Sequence, residues 1–249
     1  MQLSDTTNKN GLIQECEFWC GLPDGTISGT ALQLQRFVNR LNRAYDRVMP
    51  IVLSGGDTMR WDDSQNHTKH PTATFDITSG VNDYQFLQDE QGNSILNIVE
   101  VKILPSATAT EYQDLSRITL DDPRAQNFMW PNPSATGVPS EFLERNSTIF
   151  FDVFPSYTAT AGGKLFFERS PSYFSTSALT QTPGIPEPFH PLLALYASLD
   201  WLTVNKPDNP VVIQQVRTEI ERQRKDLYDL MNRKSPTRKH VVGKRTRSI

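Results

Sequence analysis

The sequence predicts an α+β fold: a three-helix bundle carrying an inserted small antiparallel β sandwich or barrel, followed by an extended basic C-terminal tail. Three observations carry this expectation. Apolar residues recur at three- and four-residue steps toward both ends of the chain, the spacing of a buried helix face. Between these stretches the pattern shortens to alternation, punctuated by glycine and proline turns. The final stretch, Arg233 to Ile249, holds seven Lys/Arg and no acid.

Residues 1–29 read as an irregular segment, with turn signals at Leu22-Pro-Asp-Gly25 and Ser28-Gly29. Residues 30–56 carry the first helix. Leu34, Phe37, Val38, Leu41, Ala44, Tyr45, Val48, Ile51 and Val52 mark its inner face, and Arg36, Asn39, Arg40, Arg43 and Arg47 its outer face. Pro50 should kink or end it, and Ser54-Gly-Gly56 should stop it. Residues 57–185 form the inserted β region, with strands expected over Thr72–Thr78, Asp83–Leu87, Leu96–Leu104, Asp114–Leu120, Ser147–Phe154 and Lys164–Arg169. Val99, Val101 and Ile103 should share one face, as should Ile149, Phe151 and Val153. Gly162-Gly163 reads as a hairpin turn, and residues 121–146 as one long loop of the kind that usually serves a partner.

Helical spacing returns over residues 186–232. Pro191 suits the first turn of a helix carrying Leu192, Leu193, Leu195, Tyr196, Leu199 and Leu202, apolar around much of its circumference and therefore buried on several sides. After the break Asn205-Lys-Pro-Asp-Asn-Pro210, a last helix over about 211–232 sets Val212, Val216, Ile220, Leu227, Leu230 and Met231 on one stripe. Its other face is charged.

The chain has 25 Lys/Arg against 28 Asp/Glu, a net −3. Setting aside the seven bases of residues 233–249 leaves 18 against 28, or −10, for residues 1–232. An acidic body with a basic arm argues against phosphate binding by the body as a whole, and leaves Arg233, Lys234, Arg238, Lys239, Lys244, Arg245 and Arg247 as the binding arm. An acidic body surrounding DNA would keep the duplex centred by repulsion. No stretch of about 18 apolar residues occurs, and the N-terminus lacks a secretory pattern. The protein is expected to be made and kept in a cytosol, with no membrane contact. Two cysteines, Cys16 and Cys20, are too few for a four-ligand zinc site and read as small buried residues.

Catalytic signatures are missing. There is no Walker loop, no dinucleotide fingerprint and no nucleophile elbow. Asp62, Asp63, His67 and His70 are the one polar cluster that suggests a metal hydrolase, but His67 and His70 sit three apart in a Pro-terminated loop rather than on a helix. No enzyme activity, cofactor or metal is expected.

Two stretches carry a resemblance. The first is Trp61-Asp-Asp, then Pro71-Thr-Ala-Thr-Phe-Asp-Ile-Thr-Ser-Gly80-Val-Asn-Asp-Tyr84-Gln-Phe86 and Ile98-Val-Glu-Val-Lys. The second is Phe167-Glu-Arg-Ser-Pro-Ser-Tyr-Phe, then Pro183-Gly-Ile-Pro186-Glu-Pro-Phe-His-Pro-Leu-Leu-Ala-Leu-Tyr-Ala-Ser-Leu. Over about residues 30–232 this resembles the head-to-tail connector (adaptor, neck) proteins of tailed bacteriophages. The resemblance implies a structural virion protein assembled in the host bacterial cytoplasm. It implies a homo-oligomeric ring, commonly a 12-mer, docked under the portal protein, joined to downstream tail or neck proteins and enclosing double-stranded DNA in its channel. The basic arm would then bind the portal. Arg217, Glu221, Arg224 and Lys225 on the last helix are candidates for the contact between ring subunits, and Phe128 and Trp130 for a partner loop. Competing readings are another neck or tail subunit (stopper, tube or nozzle), a phage-encoded metal-dependent hydrolase, or a carbohydrate-binding module using Phe128, Trp130 and Tyr157.

Overall fold

A computed structural model describes residues 1–54, 71–89, 92–130, 132 and 134–233. It is a mixed α+β fold with two main hydrophobic cores, one helical and one β, and a small third one. In chain order the elements are α1 (Leu12–Cys20), α2 (Ala31–Ser54), β1 (Thr72–Ile77), β2 (Asp83–Gln85), β3 (Ile95–Ile103), β4 (Gln113–Asp114) and β5 (Ser116–Ile118). There follow α3 (Ala125–Met129), β6 (Thr136–Gly137), β7 (Glu141–Arg145), β8 (Thr148–Phe151), β9 (Phe154–Pro155), β10 (Ala159–Arg169), α4 (His190–Asn205) and α5 (Pro210–Arg233).

The helical core contains four helices where three were expected. α4 is its centre: Leu192, Leu193, Leu195, Ala197 and Leu202 are buried, and α1, α2 and α5 all pack on it. A helix covered on three sides needs apolar residues around its circumference, as the sequence shows. The additional member, α1, lies in the segment read as irregular. Its Leu12, Ile13, Cys16 and Cys20 are all buried, with the two cysteines acting as small apolar residues. At nine residues it is too short to show a clear period, and Gly21 ends it in the left-handed conformation (φ 58°). Glu17, also buried, shapes the connection to α2. Its carboxylate accepts the backbone N–H groups of Gly25 at 3.1 Å, Ile27 at 2.7 Å and Ser28 at 3.2 Å. α2 runs through Pro50 to Ser54, so Pro50 does not end the helix. The Gly55-Gly56 stop lies outside the described residues.

The N-terminal segment is tied down as well. Leu3 and Ser4 donate backbone N–H groups to Gln181 and Leu179, and Leu12 and Ile13 donate to Gln2 and Leu3. A Cβ on Gly11 would meet the Asp5 backbone nitrogen at 2.5 Å, so only glycine lets the strap pass. The Met1 amino group lies 2.9 Å from Nδ1 of His190, whose Nε2 is 2.8 Å from the Ile185 carbonyl. With Nε2–H donating to that carbonyl, Nδ1 is left as an acceptor, which requires a neutral ring. Burial, with the nearby amine adding to it, holds the His190 pKa below its ordinary value despite the Ile185 bond. A group whose pKa is lowered on folding takes up protons first in the unfolded chain. Stability is therefore expected to be complete above about pH 7 and to fall as the pH drops through about 6.5, the unfolded value. Urea midpoints at about pH 7.5 and 5.5 check this, and His190→Gln should flatten the difference.

Two four-stranded sheets, β1-β10-β3-β4 and β2-β8-β7-β5, share the second core, with Ile77, Ile98, Val101, Leu165 and Phe167 meeting Phe142, Ile149 and Phe151. This is a sandwich, not a closed barrel. It is also not wholly antiparallel, because β5 runs parallel to β7 and β6 parallel to β9. All six expected strand regions contain strand. Two are interrupted: residues 114–120 split between β4 and β5, and residues 147–154 between β8 and β9. Ile149 and Phe151 face inward as expected. On β3 the alternation breaks at Val99, where the register against β10 slips between Glu100 and Ile98, so Ile98 is buried beside Val101 and Ile103.

Gly162-Gly163 is not a turn. Both residues lie within β10, where Gly163 pairs with Phe75 on one side and Ile103 on the other. A Cβ on Gly163 would fall 2.1 Å from the Phe75 ring, so the glycine makes room for an aromatic on the neighbouring strand. Residues 121–146 are not one loop either: they contain α3, β6 and the whole of β7. Phe128 packs with Ile118, Ala125 and Leu143 in a small third core beneath them.

Candidate interaction surfaces

The outer face of α5 carries two charge arrangements. Arg222 is satisfied within its own helix: Nε donates to Glu219 at 2.9 Å, Nη2 also bonds Glu219, and Nη1 reaches Asp226 at 3.3 Å. The Arg222 hydrogen bonds draw the Glu219 carboxyl below its usual range. Beside them, Arg217, Glu221, Arg224 and Lys225 are all exposed, at steps of four, three and one that keep them on one side. Among the described residues none of the four makes a hydrogen bond or ion pair. Glu221, Arg224, Lys225 and Tyr228 face Pro50 and Ile51 of α2 across a shallow groove.

A second groove sits at the other end of α5, lined by Trp19, Pro210, Val211, Gln214, Gln215, Thr218 and Glu219. Phe18 stands beside it, 71% exposed and edge-on to Trp19 at 5.4 Å. The sequence reading missed this apolar surface because it missed α1. The signal available was Phe18-Trp19 itself, two large aromatics flanking a buried Cys16/Cys20 face.

The outer face of α2 forms a third surface. Arg36, Arg40, Arg43 and Arg47 follow steps of four, three and four residues, and no acid occurs between Gly25 and Tyr45. Arg40 lies over the Phe37 ring at 5.2 Å. Arg47 lies over Tyr196 at 5.6 Å and pairs with Asp200 at 3.0 Å. Arg36 and Arg43 have no side-chain partner among the described residues.

The suggested partner loop divides. Phe128 is buried and serves the third core, whereas Trp130, immediately after α3, is 74% exposed. Tyr157 packs against the sandwich core, its hydroxyl bonded to the Leu104 carbonyl. Phe128, Trp130 and Tyr157 therefore do not form one exposed aromatic platform. Cys16 and Cys20 are free and buried near Ser198; burial pushes the Cys16 thiol up and the Cys20 thiol up to about 11. The cluster Asp62, Asp63, His67 and His70 lies outside the described residues, as do Lys234, Arg238, Lys239, Lys244, Arg245 and Arg247. Arg233 closes α5. Among the described residues, no group of three His, Cys, Asp or Glu is arranged to hold a metal ion, and no helix is long and apolar enough to cross a membrane.

No curated protein matches the chain. The family model described as "SU10 adaptor protein" matches residues 7–240, spanning every described element of the fold. The protein belongs to this family of structural head–tail adaptors of phages, and is a virion component of that kind.

Proposed function

We propose that this adaptor acts as the repeating subunit of a neck ring, commonly of twelve copies, docked under the portal and continuing the DNA channel toward the tail. The observation that carries the ring is the face formed by Arg217, Glu221, Arg224 and Lys225. Among the described residues, both signs of charge stand there without an ion-pair partner, on a helix where Arg222 is paired with Glu219 and Asp226. A ring closes through a heterologous interface, in which one face of a subunit meets a different face of the next. Unpartnered charges of both signs fix register and exclude wrong partners in such a contact. The helices of 30–56 and 186–232 would build the ring, with the sandwich of 57–185 turned toward neck or tail proteins. Trp130, exposed beside the sandwich, is the side chain best placed to anchor such a protein. The arm from Arg233 onward, with Lys234, Arg238, Lys239, Lys244, Arg245 and Arg247, would lie along an acidic groove of the portal.

The test is negative-stain imaging of the purified protein mixed with isolated portal rings. An added ring layer on the portal is expected. Portals that stay bare at saturating protein would remove the docking claim, whereas a monomer in the absence of portal would not.

A further inference from the structure

We infer that the arginine ridge on the outer face of α2 is a contact surface for the phosphodiester backbone of double-stranded DNA. The net −10 of residues 1–232 predicts a body that repels phosphate, but that figure averages over the whole surface. In the fold, Arg36, Arg40, Arg43 and Arg47 are gathered on one side of one helix. They span eleven residue steps, or about 16 Å of helix axis. Successive charges are thus about 4.5–6 Å apart along a row, against one phosphate of each DNA strand per about 3.4 Å of duplex axis.

Three features favour a phosphate backbone over an acidic protein surface. First, the row has a single sign from Arg36 to Arg43, whereas the α5 face alternates, as a contact between protein subunits does. Second, beside Arg36, Arg40 and Arg43 stand two exposed neutral amides, Gln35 and Asn39, bonded to each other at 3.1 Å, and the one acid on that flank, Asp46, lies past Arg43 and accepts from Tyr173 at 2.6 Å. Arginine with Asn or Gln is a set of donors that phosphate oxygens accept from. Third, among the described residues no exposed aromatic accompanies the ridge for base stacking; Phe37 is buried beneath Arg40 and holds its guanidinium in place. Arg47, neutralised by Asp200, ends the row, leaving Arg36, Arg40 and Arg43 as the active charges. Three charges bind DNA weakly in one copy, and repetition around a ring multiplies them.

The inference deepens the channel reading of the neck ring by naming a face for it, yet its test needs no portal. The full-length protein is titrated against a 30-bp duplex of arbitrary sequence by fluorescence anisotropy, from about 50 to 200 mM NaCl. The arm would contribute its own charges. A second background therefore carries K234Q, R238Q, K239Q, K244Q, R245Q and R247Q. In both backgrounds R36Q/R40Q/R43Q should lower the slope of log K against log salt by about 2–3, near 0.9 per phosphate lost. At the lower salt affinity should fall by about 10–100-fold. The triple lysine variant R36K/R40K/R43K should keep the slope, because a phosphate accepts a point charge where a carboxylate prefers the guanidinium fork. An unchanged slope in the triple glutamine variant would overturn the inference. So would a variant that binds DNA normally but no longer self-associates or attaches to portals, since the ridge would then be a protein contact.

Discussion

Removing residues 234–249 is expected to leave a folded subunit that no longer joins portal-bearing heads. The last side chains buried in the helical core from α5 are Leu227 and Met231, so the cut falls beyond the packed part of the helix. The deletion takes six Lys/Arg and no acid. An exposed ion pair is worth only about 0.2–1 kcal/mol. Six acting together on an acidic groove supply on the order of 1–6 kcal/mol, a change of about ten-fold to more than a thousand-fold in occupancy. Attachment should also weaken with salt in the intact protein, because such contacts are screened. Co-sedimentation of the truncated protein with portal-containing heads reads the outcome. Attachment at the level of the intact chain would dismiss the arm, and an unfolding midpoint that matches the intact chain would show that any loss is one of binding.

Arg169→Met is expected to cost about 3–5 kcal/mol of folding stability, the usual cost of breaking a buried ion pair from one side. Nη1 of Arg169 lies 2.9 Å from Oδ2 of Asp89, and the two side chains are only 3% and 4% exposed. Asp89 is also the organiser of the turn before β3. Its Oδ1 accepts the Asn93 backbone N–H at 2.7 Å, and its carboxylate accepts the Asn93 side-chain amide. Met fills the space of the Arg stem but leaves the Asp89 carboxylate buried against it. For a chain of this size the loss corresponds to roughly 6–20 °C in Tm. The double variant Asp89→Asn/Arg169→Met keeps an acceptor for Asn93 and removes the buried charge that lost its Arg169 partner, so it should be more stable than Arg169→Met alone. Equilibrium urea unfolding of the three proteins checks both statements. If Arg169→Met stays within about 1 kcal/mol of the parent, the pair is not what joins this turn to the end of β10.

Much of this architecture was legible in the sequence, and the misses share a cause. α2 and α5 are long enough for a 3.6-residue period to stand out, α4 shows as a long apolar run after Pro191, and all three occur where the sequence indicates. α1 offers two turns and depends on cysteines for half of its inner face, so its period did not register. The stretch 121–146 is rich in Pro, Asn and Ser, which signals turns; yet Phe142 and Leu143 are consecutive and both buried, one in the sandwich and one in the third core. Alternation cannot reveal a strand that is covered on both faces. Gly163 misled for a related reason, since the space it leaves is filled by Phe75 from another strand. For the surfaces, the α5 charges and the α2 arginines could both be read as exposed helix faces, but an averaged net charge gave the α2 row no weight, and the arm beyond Arg233 lies outside the described residues. Charge arranged along one helix face emerges only when residues are counted by face.

β10 leads directly into the segment that returns the chain to the helices, and this connection is fastened to α2. The Asn42 side chain bonds both the N–H and the carbonyl of Phe174, Tyr173 donates to Asp46 at 2.6 Å, and Gly184 donates to the Tyr45 hydroxyl. The three anchoring residues on α2 lie within two helical turns. A load applied to the sandwich would pass along β10, an inner strand of its sheet, and reach α2 as shear across several bonds that must break together.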